Sequence, residues 1–218
     1  MPEGQRVVVN HASWWHRTKV HINEPADAAL RTARRAEEDS ARGQARKELL
    51  ELGELLAQSQ ATSGRGAEVL GRALDAYAAA EKVLDAAADM ADVAGVLVLV
   101  REGRDLAAMA TARAGRTRET VPLCFFNPLH GVSARHVSWR ALGERQALVV
   151  RACADCAERI KRRREPDALT CRAHGRDIPY YELDPSLSVW AATGYGQFCD
   201  DLIERVLSRN FPPRPHAS

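Results

Sequence analysis

Residues 122–160 read PLCFFNPLHGVSARHVSWRALGERQALVVRACADCAERI, a stretch that holds three of the chain's five cysteines. Cys124 leads through Phe125, Phe126, Asn127, Pro128 and Leu129 to His130 and Gly131. Pro128 fixes φ and Gly131 tolerates φ > 0, so the spacing predicts a tight loop that turns two potential ligands toward each other. In Arg135–Arg140, Val137 and Trp139 alternate with His136, Ser138 and Arg140, the period of a half-buried strand. Gly143 marks a turn and Ala147–Val150 the return strand, which completes a hairpin.

Directly after the hairpin, Cys153-Ala154-Asp155-Cys156 opens a helix expected to run through Ile160 and to stop before Pro166. Two cysteines three apart at a helix start lie on one face, where unpaired N–H groups favour thiolate over thiol. That is a suitable place for two zinc ligands. The order of loop with Cys and His, hairpin, then helix with Cys-x-x-Cys at its start resembles a treble-clef zinc finger. The resemblance implies Cys124, His130, Cys153 and Cys156 as a four-coordinate site. His130 is the departure, because five residues separate it from Cys124 where a zinc knuckle has two to four.

A rival set takes Cys153, Cys156, Cys171 and His174, with a gap of 14 residues between the pairs, and resembles a zinc ribbon. The plain alternative makes Cys124 and Cys153 small core residues. A redox dithiol at Cys153 and Cys156 lacks the surrounding βαβ pattern. The wording CFFNPLHG followed by ACADCA is also similar to uncharacterised bacterial proteins that carry a CFFNP-x-HG segment. That similarity covers roughly residues 65–208, implies that this part is one unit, and implies no activity.

Outside this stretch the composition is ordinary for a globular chain of 218 residues, with 45% hydrophobic and 28% charged side chains. A net charge of +2 does not by itself call for a polyanion partner. Lysine is confined to Lys19, Lys47, Lys82 and Lys161 while arginine and alanine abound, a bias of genome composition rather than of mechanism. The opening MPEGQRVVVN has no basic segment followed by an apolar one, and the longest apolar run, Val93–Val100, is far shorter than the roughly 20 residues a membrane helix needs. A cytoplasmic protein without membrane contact is expected, and five cysteines fit thiols or metal better than disulfides.

Taken from the N-terminus, residues 1–24 hold Trp14, Trp15 and His11, His16 and His21, a histidine spacing of five that suits neither helix nor strand. Asn23-Glu24-Pro25 reads as a helix start. The segment 25–60 forms an amphipathic helix with Leu30, Ala33, Ala45, Leu49, Leu52 and Leu56 at helical spacing, and its polar middle, Arg34–Gln44, is a solvated face or a break. Residues 65–113 predict a helical hairpin. In its first helix Leu70, Ala73, Leu74, Tyr77, Ala80, Leu84 and Ala87 form the apolar stripe; Asp89–Asp92 caps the second, Val93–Ala110. No second copy at a repeat period argues against a solenoid.

Residues 119–208 then form the zinc-organised module, including an edge strand at Asp177–Leu183 and a last helix capped by Asp200 with Leu202, Ile203, Val206 and Leu207 inward; 209–218 is a tail. Gly194-Tyr195-Gly196 is too short to signal a nucleotide. The fold class is α+β, mostly α.

Three functions compete. The first is a non-catalytic, zinc-stabilised interaction or scaffolding protein that meets a protein partner. The second is nucleic-acid binding by the basic run Arg159, Lys161, Arg162, Arg163 and Arg164, which also simply complements a helix dipole. The third is a metal- or cysteine-dependent hydrolase, with Cys124 as nucleophile and His130 as base; it lacks an evident carboxylate to orient the histidine, and the expectation leans against an enzyme.

Overall fold

The computed structural model describes residues 24–59, 64–112, 120–140, 146–173 and 175–209. Asn23, the paired tryptophans and the three histidines of the N-terminal segment, Gly143, His174 and the tail from 210 onward lie outside them. The architecture is α+β and mostly α. The chain divides into two compact units, 1–37 and 38–218. In the first, the described residues belong to the start of α1 (Glu24–Gln58), and Ala28–Glu37 are exposed.

Within the second unit, α1 continues helical through Glu38–Gln44, Gly43 included, so the polar middle is a solvated face and not a break. Ala45, Leu49, Leu52 and Leu56 are buried as their spacing predicts, whereas Leu30, in the first unit, is 54% exposed. α2 (Gly64–Ala86) and α3 (Met90–Thr111) form the expected hairpin, with Asp89 as the α3 cap accepting from the Ala91 and Asp92 N–H groups at 2.9 and 3.1 Å. Small residues set the spacing here. A Cβ on Gly103 would sit 2.8 Å from Leu52 of α1, and one on Gly53 would sit 3.1 Å from the Tyr77 ring of α2. The apolar stripe of α2 needs one correction: Ala73, Ala80 and Leu84 are buried as their spacing predicts, joined by Ala76, Ala79 and Val83, while Leu74 is 51% exposed. The alanine face, not the larger leucine, turns inward.

The remainder of the unit begins with a knuckle. Leu123 bridges Val132, and the Cys124 N–H donates to the Gly131 carbonyl at 2.9 Å. Between them Asn127 caps a 3-10 turn, Pro128–His130, and Gly131 closes it at φ 80°, as the sequence requires. β1 (Arg135–Trp139) and β2 (Leu148–Ala152) pair antiparallel with Val137 opposite Val150, and α4 (Ala154–Lys161) follows at once. α4 ends at Lys161, short of the proline, because Arg163 adopts φ 54°.

Three expectations for the later chain change. β3 (Thr170–Ala173), absent from the sequence reading, pairs antiparallel with β4 (Arg176–Pro179). The strand expected to reach Leu183 ends at Pro179 and gives way to a 3-10 turn, Tyr180–Glu182, which buries Tyr180. After α5 (Val189–Thr193), α6 (Leu202–Ser208) starts from Asp201 rather than Asp200, without a side-chain cap, and Leu207 is partly exposed. The Lys82 ammonium donates to the Val206 and Leu207 carbonyls, satisfying the end of α6.

An aromatic core joins these short pieces. Phe125 lies 5.2 to 5.9 Å, centroid to centroid, from Phe126, Trp139, Tyr180, Tyr181 and Phe198. Trp190 stacks on Tyr195, donates to Asp92 at 2.9 Å, and occupies the space over Gly95, so the C-terminal segment is fastened to the start of α3.

Candidate metal centre

Cys124 is placed by the knuckle, His130 by the 3-10 turn, and Cys153 and Cys156 by the start of α4. Their ligand atoms all lie within 4.8 Å of one another, so the cluster could hold a metal ion. His130 Nδ1 is 3.6 Å from the Cys153 sulfur and 3.5 Å from the Cys156 sulfur. None of the thiols is in a disulfide. Cys124 and Cys156 are 0% exposed and Cys153 is 9% exposed, while the His130 side chain is 23% exposed and forms the rim.

Cys153 has two tasks. It is the N-cap of α4, and its sulfur accepts the Cys156 N–H at 3.4 Å, so the cap that starts the helix also aims a sulfur at the cluster. The electrostatics of three packed thiols are strained toward shared protons. The hydrogen bond from Cys156 is the largest cause holding the Cys124 thiol well below its usual range, and the Cys153 and Asn127 N–H groups lower it further. Donating that proton, together with burial, drives Cys156 far upward; Cys153 is raised first by burial. Three such sulfurs ionise together only if a cation compensates them, which is the demand a metal ion meets.

Asp167 was not legible as part of this site. Its carboxylate lies 3.4 Å from His130 Nε2, and the Asn127 amide nitrogen lies 3.3 Å from that same ring atom. The ring therefore has one nitrogen toward the sulfurs and the other toward a carboxylate, the arrangement that fixes a ligating histidine's tautomer and orientation. The Asp167 backbone oxygen also lies 3.8 Å from the Cys156 sulfur. Asp167 follows Pro166 in an irregular segment with no periodicity to flag it; only the chain reversal after α4 brings it back. An orienting carboxylate for His130 is thus present.

The rival ligand set does not assemble from the described residues. Cys171 sits buried on β3, where its thiol bonds to Asp89, and burial followed by the charges of Asp89 and Asp92 pushes it up to about 12. It stays a protonated donor in the core; His174 lies outside the described residues. The basic run Arg159, Lys161, Arg162, Arg163 and Arg164 is exposed, with Arg162 bonded to Glu158 at 2.7 Å and Arg159 donating to the Glu165 carbonyl. Complete burial gives Cys124 no open face toward a substrate, which a nucleophile needs. A separate cleft of about 380 Å³ beside α3, lined in part by Arg72, Glu102, Tyr195 and Cys199, contains none of the cluster residues.

No protein-family model, curated protein or solved structure matches the chain. Cluster geometry alone therefore bears on function.

Proposed function

We propose that the chain is a non-catalytic zinc-stabilised interaction protein, with one zinc ion held by Cys124, His130, Cys153 and Cys156 in a treble-clef-like module. The single observation that carries it is the spacing of the donor atoms. A tetrahedron with Zn–S of about 2.3 Å and Zn–N of about 2.0–2.1 Å has S···N edges of about 3.5 Å. His130 Nδ1 stands 3.6 and 3.5 Å from two of the sulfurs. Four protein ligands leave no position for water or substrate, which makes the ion structural rather than catalytic. Thiolates with imidazole suit zinc over calcium or magnesium, which take oxygen. The succession of knuckle, hairpin and helix supports the treble-clef comparison, and the long knuckle is accommodated by the 3-10 turn at Pro128–His130.

A protein partner fits this reading: Leu148 and Val149 on β2 are 44% and 69% exposed, one apolar side chain on each face of a two-stranded sheet. Elemental analysis of purified full-length protein should find one zinc per chain. Cys124→Ala and Cys156→Ala should abolish it, and Cys171→Ala should retain it. Zinc lost on changing Cys171 and kept on changing Cys124 would overturn the assignment.

Exposure of all five basic residues at 159–164 favours a second reading, in which the end of α4 docks on a phosphate backbone. Its test is binding to a generic duplex across a salt series. A weakening that Arg163→Ala with Arg164→Ala makes shallower would support it, and no measurable binding at low salt would remove it.

A further inference from the structure

Resting on the zinc reading above, we infer that the centre is a peroxide-sensitive switch: a hydroperoxide links Cys153 to Cys156, the ion is released, and the surrounding fold stays in place. Distance supplies the first support. The sulfurs of Cys153 and Cys156 are within 4.8 Å of each other, and the Cys156 N–H already points at the Cys153 sulfur. Closing them to about 2.05 Å asks for side-chain rotation in the first turn of α4 rather than for chains to be brought together.

Exposure supplies the second and sets the order of events. The rim of the centre is open to solvent at His130 and at Asp167, whose side chains are 23% and 67% exposed. Of the three sulfur residues, Cys153 keeps 9% exposure where Cys124 and Cys156 keep none. A small oxidant entering past the imidazole meets Cys153 first.

The third support concerns what holds the module once the ion is gone. Small zinc fingers unfold without metal because the ion substitutes for a core. Here the segments that bring the ligands are anchored independently. The Phe125 N–H donates to the Arg151 carbonyl at 2.9 Å, the Leu169 N–H to the Phe126 carbonyl at 2.8 Å, and the Tyr180 hydroxyl to the Phe125 carbonyl at 2.7 Å. Gln197 ties β2 to the knuckle by accepting the Arg151 N–H and donating to the Leu123 carbonyl. With Phe125 and Phe126 buried among rings, none of these links passes through the metal. The centre can empty while its walls stand.

In the reaction, the Cys153 thiolate attacks one oxygen of hydrogen peroxide, the O–O bond breaks, and a sulfenic acid forms as the first water leaves. The Cys156 thiolate then attacks that sulfur and expels hydroxide, which is protonated to the second water. Two thiolates give up two electrons, the peroxide takes two electrons and two protons from solvent, and only Cys124 and His130 would remain to hold an ion. A dithiol reverses the bond and restores the four-ligand set.

The experiment uses full-length protein carrying one zinc, titrated with hydrogen peroxide in anaerobic buffer. A chromogenic chelator reads released zinc, thiol counting and peptide mapping follow the cysteines, and circular dichroism follows the fold. One zinc released and two thiols lost per peroxide consumed, a Cys153–Cys156 bond in the map, unchanged helical signal and re-uptake after dithiothreitol would support the inference. Cys199→Ser, which removes a half-buried thiol away from the centre, should behave identically. Zinc retained under tenfold excess peroxide, release accompanied by loss of helical signal, or a bond that includes Cys124 would overturn it. Failure of the untreated protein to take up zinc is a different result, visible before peroxide is added; it overturns the metal reading and the inference with it.

Discussion

Within the unit 38–218, the helical part (α1 from Glu38, α2 and α3) and the segment from Thr120 to Arg209 bury their surfaces by different means. On α2 most buried residues are alanines, Ala73, Ala76, Ala79 and Ala80, while α1 and α3 bury Leu52, Val93, Val96, Leu99 and Val100, and Gly103 leaves room for Leu52. Regular backbones can approach closely, so hydrogen bonds within each helix and many small contacts do the work. The later segment has short strands and helices of few turns, and it fills the space between them with Phe125, Phe126, Tyr180, Trp190 and Tyr195. Irregular backbone leaves wide, uneven gaps that only large rings span. The Cys/His cluster lies next to that ring core, through the Cys124 and Phe125 neighbourhood, so the candidate site sits where the backbone is least repetitive.

Phe125→Ala tests the ring core most severely. Removing a side chain that meets five other rings should cost about 3–5 kcal/mol in chemical denaturation. A loss below about 1 kcal/mol would mean that the cavity collapses easily and that the rings are not the main support. Gly95→Ala tests the seam between the two styles of packing. An added Cβ would lie 2.2 Å from the Trp190 indole, so the ring or α3 must move. Overpacking of this kind costs about 1–3 kcal/mol, against which alanine's helix preference returns about 1 kcal/mol. Net destabilisation in a thermal melt is expected, and a stabilised variant would show that Trp190 is free to retreat.

The two regions also differed in how openly their sequences spoke. Asp89 before an apolar run announced the start of α3, and Pro128 with Gly131 announced the knuckle, because capping and φ preference are local properties. Cys153-x-x-Cys156 was legible for the same reason, since its spacing acts within one helical turn. Long-range placement was not legible. Cys171 had the same spacing credentials as Cys124, yet β3 delivers it to Asp89 and leaves it in the core. Asp167 has no local signal and enters the site only through the chain reversal. The Tyr180–Glu182 turn lay within the strand expected over Asp177–Leu183, where the strand propensity of Ile178, Tyr180 and Tyr181 yielded to burial of Tyr180.

Asp167→Ala separates the centre from the core around it. Losing the carboxylate partner of a ligating histidine typically lowers metal affinity by about 10–100-fold. Competition with a zinc chelator should read that loss, while the thermal melt of the metal-free protein stays where it was, because the side chain is 67% exposed and its pairing is screened by solvent. Equal affinity in both proteins would mean that Asn127 alone orients the ring.

The smallest expected effect bears on the helical side of the comparison. Spacing places Leu74 in one apolar stripe with Leu70, Ala73, Tyr77, Ala80 and Leu84; Ala73, Ala80 and Leu84 are buried, yet Leu74 is 51% exposed while Ala76 and Val83 are buried. Leu74 lies at the edge of that stripe, one residue and so about 100° of helical rotation from Ala73, and hydrophobicity alone would place the leucine inside. Packing decides otherwise, because turning the bulkier face inward would push α2 away from α3 and sacrifice contacts along both helices. Leu74→Gln should therefore change stability by no more than about 0.5 kcal/mol, as for an ordinary surface position. Ala76→Leu, a change toward greater hydrophobicity, should destabilise by about 1–3 kcal/mol through overpacking. If instead Leu74→Gln proved the more damaging of the pair, α2 would be rotated from the orientation seen here, and close approach through alanine would no longer explain how the helices are held.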